Sequence, residues 1–367
     1  MKINAAILWK QGEPLSVETA ELDGPGEGEV LVEVKAAGVC HSDLHPARGD
    51  WPVRTPIVLG HEGAGIVREV GRNVNGVRVG DQVVFCWAPA CGVCPPCLEG
   101  RPVLCDRLER TTYRNRLPVG ETRLRARSQP LAHFNSTACF ADYAVLAEEG
   151  AIPVPFDVPF EVLATLGCAV VTGVGAVTNA ARVEAGACVV VIGAGGIGLN
   201  VMQGAKLAGC ERIIAVDLKS APLKLAREFG ATQTIEASAE NVAEAVRGLT
   251  DGRGADHVFD TVGTPETLSQ ALAYARKGGQ IILTGLARTD ALASIPMFPF
   301  VMQEKRLTGS VYGSGRPPIE IPRLVELYQA GKLKLRELVT RTYALDGVND
   351  ALAALASGEG ARGIIRW

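Results

Sequence analysis

Four cysteines, Cys91, Cys94, Cys97 and Cys105, follow one another as C-x2-C-x2-C-x7-C in PACGVCPPCLEGRPVLCD. That segment carries few large apolar residues, so it needs a staple other than a core of its own. Four thiolates give Zn(II) a closed tetrahedral shell with no open position for substrate, which reads as a structural metal site. A disulfide pair and an iron-sulfur cluster are the alternatives, but disulfides suit an oxidising compartment and the spacing matches no ferredoxin pattern. A second set is scattered: Cys40 and His41 open VCHSDLH, His61 and Glu62 lie in GHEGAG, and Cys168 sits far downstream in LGCAVVTG. Spacing alone leaves two readings open for it. Either the residues share a metal, or Cys168 is a small core thiol and His61 a loop imidazole.

The third chemical signature is built on glycine. Gly193, Gly195 and Gly198 stand at GxGxxG spacing in CVVVIGAGGIGLNVMQGAKLAG, after a strand pattern and at the opening of a helical one. The first glycine permits a tight turn, the second lets the backbone approach a pyrophosphate, and the third lets helix pack on strand; the helix N-terminus attracts the anion. The next strand pattern, RIIAVD, ends in Asp217, nineteen residues beyond Gly198. A carboxylate there accepts hydrogen bonds from ribose hydroxyls and repels a 2′-phosphate, which favours NAD over NADP, although Lys219 close by pulls the other way. The rival reading is a glycine-rich packing turn that binds nothing.

These residues require two kinds of scaffold. Up to about residue 151, short β-rich runs (AAILW, EVLVEVKAAGV, GAGIVREVG, DQVVFCW) alternate with glycine and proline, as in an irregular β-rich domain. From about residue 170 to 309, apolar strands alternate with helical stretches, the rhythm of βαβ units and a doubly wound parallel sheet. The remainder holds an amphipathic helix near 321–330 and a strand, GIIRW, that returns to the first lobe. The expected division is therefore 1–169 with 310–367, and 170–309.

At 367 residues the chain is long enough for two cores. A net charge of -3 without a basic block offers no footprint for nucleic acid or an anionic membrane, so the expected partner is a small molecule. The N-terminal MKINAAILWKQGEP reaches polar residues too soon for a secretory apolar region, and the longest apolar stretches are broken by glycine. Ten cysteines in such a chain point to metal ligands and free thiols in a cytoplasmic protein.

In this order, GVCHSDLH, GHEGAG, the four-cysteine loop and GAGGIG resemble the zinc-containing alcohol dehydrogenases of the medium-chain dehydrogenase/reductase family, nearly end to end. The resemblance implies an α/β protein: a β-rich GroES-like catalytic domain plus a Rossmann NAD-binding domain. It implies hydride transfer between a primary alcohol and NAD, with two zinc ions per subunit. The catalytic zinc would be held by Cys40, His61 and Cys168, with Glu62 behind it and Asp43 hydrogen-bonding the zinc histidine. Ser42 and His45 match the proton relay, and His41 and Arg362 fall where members contact the cofactor's phosphates. Gly196 belongs to the glycine turn, and Thr172 and Ile197 would press on the nicotinamide. Trp51, Trp87 and Phe134 match walls of the substrate pocket.

The arginine-rich segment 109–133 resembles the longer loop of members with larger substrates. The branch that oxidises a glutathione adduct of formaldehyde carries an arginine where this chain has Glu109, with Arg110 adjacent. Two other readings compete. A secondary-alcohol or polyol dehydrogenase commonly has a carboxylate in place of Cys168; a noncatalytic, zinc-stapled nucleotide-binding protein would not need Cys40, His61 and Cys168 together with Ser42. Family likeness also implies a homodimer or homotetramer through the cofactor domain, around SIPMFPFV.

Overall fold

The computed structural model describes residues 1–120 and 122–367; Glu121, inside the arginine-rich segment, lies outside the described residues. Two compact units emerge, Met1–Cys168 with Arg316–Trp367, and Ala169–Gly315. The second boundary thus falls at Gly315 rather than at Gly309. The reason is local packing: the turn Tyr312–Ser314 seats on Val171–Gly175, and Asn179 Nδ2 donates to the Gly313 carbonyl at 3.0 Å.

The first unit is β-rich, as the short punctuated runs require. Strands Lys2–Leu8, Ser16–Leu22, Leu124–Ala126, Gln129–His133 and Ile57–Val58 close a small barrel. A larger sheet runs in the order Ala151–Pro153, Gln82–Phe85, Glu62–Val70, Glu29–Val39, Arg362–Arg366, Val339–Tyr343, with Tyr143–Ala147 also pairing to Glu29–Val39. EVLVEVKAAGV is nearly continuous in its apolar character because it is covered on both sides. Val30, Val32 and Val34 enter one core cluster while Leu31 enters another.

Register at the end of that strand sets up the chemistry. Gly38 pairs with Glu62 on one side and Ile364 on the other, and Val39 pairs with Gly363. Cys40, Glu62 and Arg362 therefore arrive at the same place from three distant parts of the sequence.

The second unit is a six-stranded parallel sheet in the order Gln233–Glu236, Arg212–Asp217, Cys188–Ile192, Ala255–Asp260, Ala275–Leu283, Arg306–Gly309. The order reverses beside Cys188–Ile192, which is where a doubly wound sheet opens a ligand crevice at the carboxyl ends of its strands. Gln233–Glu236 and the helix Val242–Leu249 go beyond the sequence reading. The helix is capped by the Asn241 side chain, which accepts from the Ala243 and Glu244 amides. A helical run, Phe160–Ala181, is long and apolar enough to cross a membrane, but 89% of its apolar 18-residue window is buried inside the protein.

The barrel contains an unusual core residue. His133 is fully buried, its Nε2 accepts the Arg123 amide at 3.1 Å, and burial holds its pKa down at about 3. An unfolded chain would take up that proton near pH 6.5. The folded pKa is depressed, so its stability contribution is intact above pH 6.5 and is lost as pH falls, by roughly 1.4 kcal/mol per pH unit between the two values. His133→Gln should therefore lose about 1 to 2 kcal/mol less stability than the wild type between pH 7 and pH 5. Denaturant melts at the two pH values test this, and parallel losses would refute it.

Candidate active site

The helix His41–Arg48 starts where the strand Glu29–Val39 ends, with Cys40 as its N-cap. Asp43, in its first turn, is wholly buried and turns its carboxylate back toward the helix start. Asp43 Oδ2 accepts the Cys40 amide at 3.0 Å; Oδ1 accepts the Gly60 amide at 3.1 Å and His61 Nδ1–H at 2.9 Å. One carboxylate thus ties both ligand-bearing segments together and fixes the tautomer, leaving His61 Nε2 with the lone pair. Gly60 is left-handed (φ 90°), and any Cβ there would strike the Phe140 ring, so the glycine before the histidine is required.

Cys40, His61, Glu62 and Cys168 each direct a donor atom into one buried volume, all within 4.8 Å of one another. Cys168 comes from Leu166–Val170, a widened π-type turn in the long helical run. Among the described residues buried His61 Nε2 meets no hydrogen-bond partner, a requirement a metal ion would satisfy. The hydrogen bond from the Cys168 thiol, assisted by Arg362 and His61, holds Cys40 well below the usual thiol range, while the same bond and burial push Cys168 well above it. Burial opposes the charged form of His61, but Asp43 outweighs it and raises the imidazole well above its ordinary value. A soft thiolate beside a second thiol and an oriented imidazole is a zinc donor set.

Glu62 is also fully buried. Desolvation raises its pKa to about 7 against the opposing charge of Arg362, whose Nη2 lies 3.5 Å from Glu62 Oε1. Arg362 is itself only 4% exposed and donates to the Val39 carbonyl at 2.9 Å. The resemblance places this arginine at a cofactor phosphate; the structure also brings it beside the glutamate of the metal cluster. Strand pairing of the C-terminus is the signal that could have suggested it.

The other expected residues fall as follows. Ser42 and His45 are partly buried on the His41–Arg48 helix, and His41 is exposed in its first turn. Trp51 stacks on His45 with ring centres 4.6 Å apart, and Phe134 meets His61 edge-on at 5.9 Å. Trp87 is half-buried just past the strand Gln82–Phe85. Asp50, which sequence reasoning did not single out, places Oδ2 at 3.1 Å from His45 Nδ1.

Cys91, Cys94, Cys97 and Cys105 form the second cluster, again with all donor atoms within 4.8 Å. The Cys94 sulfur lies 3.4 Å from that of Cys97 and 3.7 Å from that of Cys105. Those separations far exceed a disulfide bond of about 2 Å and approach the edge of a zinc-thiolate tetrahedron, about 3.8 Å for bonds of about 2.3 Å. Backbone amides of Val93 and Cys94 lower Cys91 to about 6, whereas desolvation and its sulfur neighbours raise Cys97 to about 12.

In the parallel-sheet unit, Gly193 is left-handed (φ 92°), and a Cβ at Gly198 would collide with the Gly193 carbonyl. Gly195 caps the helix Gly196–Leu207, and Ile197 lies in its first turn. Buried Thr172 lies on the neighbouring helical segment, where a Cβ on Gly173 would approach the Ile197 carbonyl to 2.6 Å. Asp217 accepts the Ala194 amide at 2.9 Å and the Lys219 amide at 3.1 Å, which fixes its carboxylate beside the glycine turn. A cavity of about 700 Å³ opens there, lined by Gly193, Asp217, Leu218, Asn241, Val262 and Thr264 among others. Its size and its carboxylate suit a nucleoside.

Comparison with known proteins agrees with this geometry. Residues 26–156 match the alcohol dehydrogenase GroES-like domain, and residues 196–330 match the zinc-binding dehydrogenase family. The chain is 41% identical to the NDMA-dependent alcohol dehydrogenase of Amycolatopsis methanolica, over 100% of this chain and 99% of that one. It is 38% identical to the S-(hydroxymethyl)glutathione dehydrogenase of Paracoccus denitrificans, over the whole of both. Among solved structures, benzyl alcohol dehydrogenase from Acinetobacter calcoaceticus superposes with a TM-score of 0.94 at 35% identity, covering 100% of this chain and 99% of the other.

The two clusters predict distinct metal behaviour. Purified protein should carry about two zinc ions per chain by elemental analysis, and Cys97→Ala and Cys168→Ala should each lower this to about one. Cys97→Ala should also lower the melting temperature. An unchanged stoichiometry in either variant would remove that cluster as a zinc site.

Proposed function

Because this chain belongs to the zinc-binding alcohol dehydrogenase family, we propose that it interconverts primary alcohols, aliphatic or aromatic, and their aldehydes with NAD as hydride carrier. The observation that carries the reading is the buried set Cys40, His61 and Cys168, with His61 locked by Asp43. With Glu62 paired to Arg362, Cys40, His61 and Cys168 would hold zinc and leave a coordination position open. Zinc held there would supply the Lewis-acid chemistry that favours ionisation of an alcohol hydroxyl near neutral pH, and NAD would supply the hydride acceptor.

The chain's own groups do the rest. Ser42 takes the hydroxyl proton, and His45, three residues on along the same helix and part-exposed, passes it to solvent. Arg362, 3.5 Å from Glu62, supplies the positive charge that balances the anions of the buried cluster. His41 and Arg362 serve the cofactor's phosphates, and Thr172 and Ile197 its nicotinamide. Asp217 beside the cavity supports NAD over NADP.

Trp51, Trp87 and Phe134 wall the substrate space, which supports slender or planar alcohols; the benzyl alcohol dehydrogenase neighbour supports the aromatic case. Cys168 as third ligand speaks against a polyol dehydrogenase. A second reading, oxidation of a glutathione adduct of formaldehyde, is favoured by the Paracoccus relative, although Glu109 is an exposed acid at the position expected to carry an arginine. The protein acts in the cytoplasm as a homo-oligomer through its parallel-sheet unit. In support, the helix Met297–Met302 exposes Met297, Phe298, Val301 and Met302 by two-thirds or more, beside the edge strand Arg306–Gly309.

NADH formation with primary, secondary and aromatic alcohols tests the proposal. Turnover should be greatest with primary or aromatic alcohols, weak with NADP and reduced to background in Cys168→Ala. A rate highest with formaldehyde plus glutathione would establish the second reading, and turnover undiminished in Cys168→Ala would refute the metal-centred mechanism.

A further inference from the structure

The end of the helix His41–Arg48 builds a second small constellation. Gly49 closes the helix in the left-handed conformation (φ 88°), and the Asp50 amide donates back to the His45 carbonyl at 2.9 Å. That reversal swings the Asp50 side chain beside the ring of the residue five positions earlier, where Oδ2 stands 3.1 Å from His45 Nδ1. The next residue, Trp51, lies over the imidazole at 4.6 Å with only 21° between the planes. Gln11 clamps the loop from outside: its Nε2 donates to the carbonyls of Pro46 and Trp51, each at 2.8 Å. His45 and Asp50 are each about one-fifth exposed, so the pair is sheltered without being cut off from water.

From this geometry we propose that Asp50 is a positioning residue for proton release: its carboxylate accepts the His45 Nδ1 proton and, with Trp51 against the ring face, commits Nε2 to receiving the proton. A carboxylate can only accept, so the contact requires the hydrogen on Nδ1 and leaves the lone pair on Nε2. An imidazole without such a partner divides itself between two tautomers and two ring orientations, and only part of the population can take a proton from one side. The same logic operates at His61, where Asp43 sets the tautomer for metal binding. His61 and His45 are thus each oriented by an aspartate, one for a metal and one for a proton. The inference rests on the proposed relay role of His45.

The chain has only five histidines, so the 15N signals of a histidine-labelled protein can be assigned with His45→Gln. In the wild type, neutral His45 should show the Nδ1–H tautomer; in Asp50→Asn it should shift toward Nε2–H or a mixture. The same variant should slow alcohol oxidation about tenfold with KM unchanged, the lower end of what loss of a histidine-orienting partner costs. In the His45→Gln background it should add nothing further. Asp50→Glu, which keeps an acceptor-only carboxylate where Asn also brings an N–H donor, should recover part of the rate. A tautomer unchanged in Asp50→Asn, or a rate loss that persists undiminished in the His45→Gln background, would overturn the inference. If His45→Gln itself leaves the rate intact, the relay reading fails instead, whatever the tautomer.

Discussion

The buried carboxylate of Asp43 is the interaction on which the metal site depends. It accepts three N–H groups, two from backbone and one from an imidazole, so its charge is satisfied by hydrogen bonds although it has no contact with water. Those donors belong to two segments separated in sequence, the start of the His41–Arg48 helix and the Gly60–His61 turn. Removing the acceptor would leave three buried donors unmatched at once. It would also free the His61 ring to rotate away from the two sulfurs. The orientation of the His61 ligand is thus a consequence of a hydrogen-bonding requirement that Asp43 meets.

Charge balance is the second constraint. Two cysteine sulfurs and a glutamate converge in a volume that excludes water, where like charges repel strongly. The compensating cation, Arg362, comes from the C-terminal strand and is held by the Val39 carbonyl, one residue before Cys40. Antiparallel pairing of Gly363 with Val39 makes that reach automatic. The sheet therefore positions the cation together with its anions.

How much of this could be read from the sequence follows from how local each feature is. The four-cysteine loop and the glycine turn with Asp217 are closed over short spans, so spacing encodes their geometry. Cys168 is different: it lies more than a hundred residues from His61, in an apolar helical run that looks like ordinary core, and only family resemblance attached it to the site. Asp50 escaped notice because its role depends on a chain reversal at Gly49, not on its spacing from His45 alone. The pairing of Arg362 with Glu62 is hidden for another reason: a strand partner cannot be inferred from a terminal charge. The division at Gly315 differs from the expected 309 for a related reason: the turn Tyr312–Ser314 reads as connection, and only its fit against Val171–Gly175 attaches it to the parallel-sheet unit.

The two clusters also differ in what they contribute to the fold. Around Cys91–Cys105 the chain has almost no core: Val93 and Leu98 are about three-quarters exposed, and the short helix Pro95–Leu98 contains no buried residue. Hydrophobic burial cannot hold such a segment against the conformational entropy of its backbone, so metal binding there is a folding free energy. The cluster at Cys40, His61 and Cys168 sits instead on a strand buried from both sides and on a helix packed inside the protein. Its scaffold is secured by apolar packing and by Asp43, so a metal there need not hold the chain together. That independence leaves a coordination position for chemistry, because a site that must also staple its own loop uses all four ligands to do so.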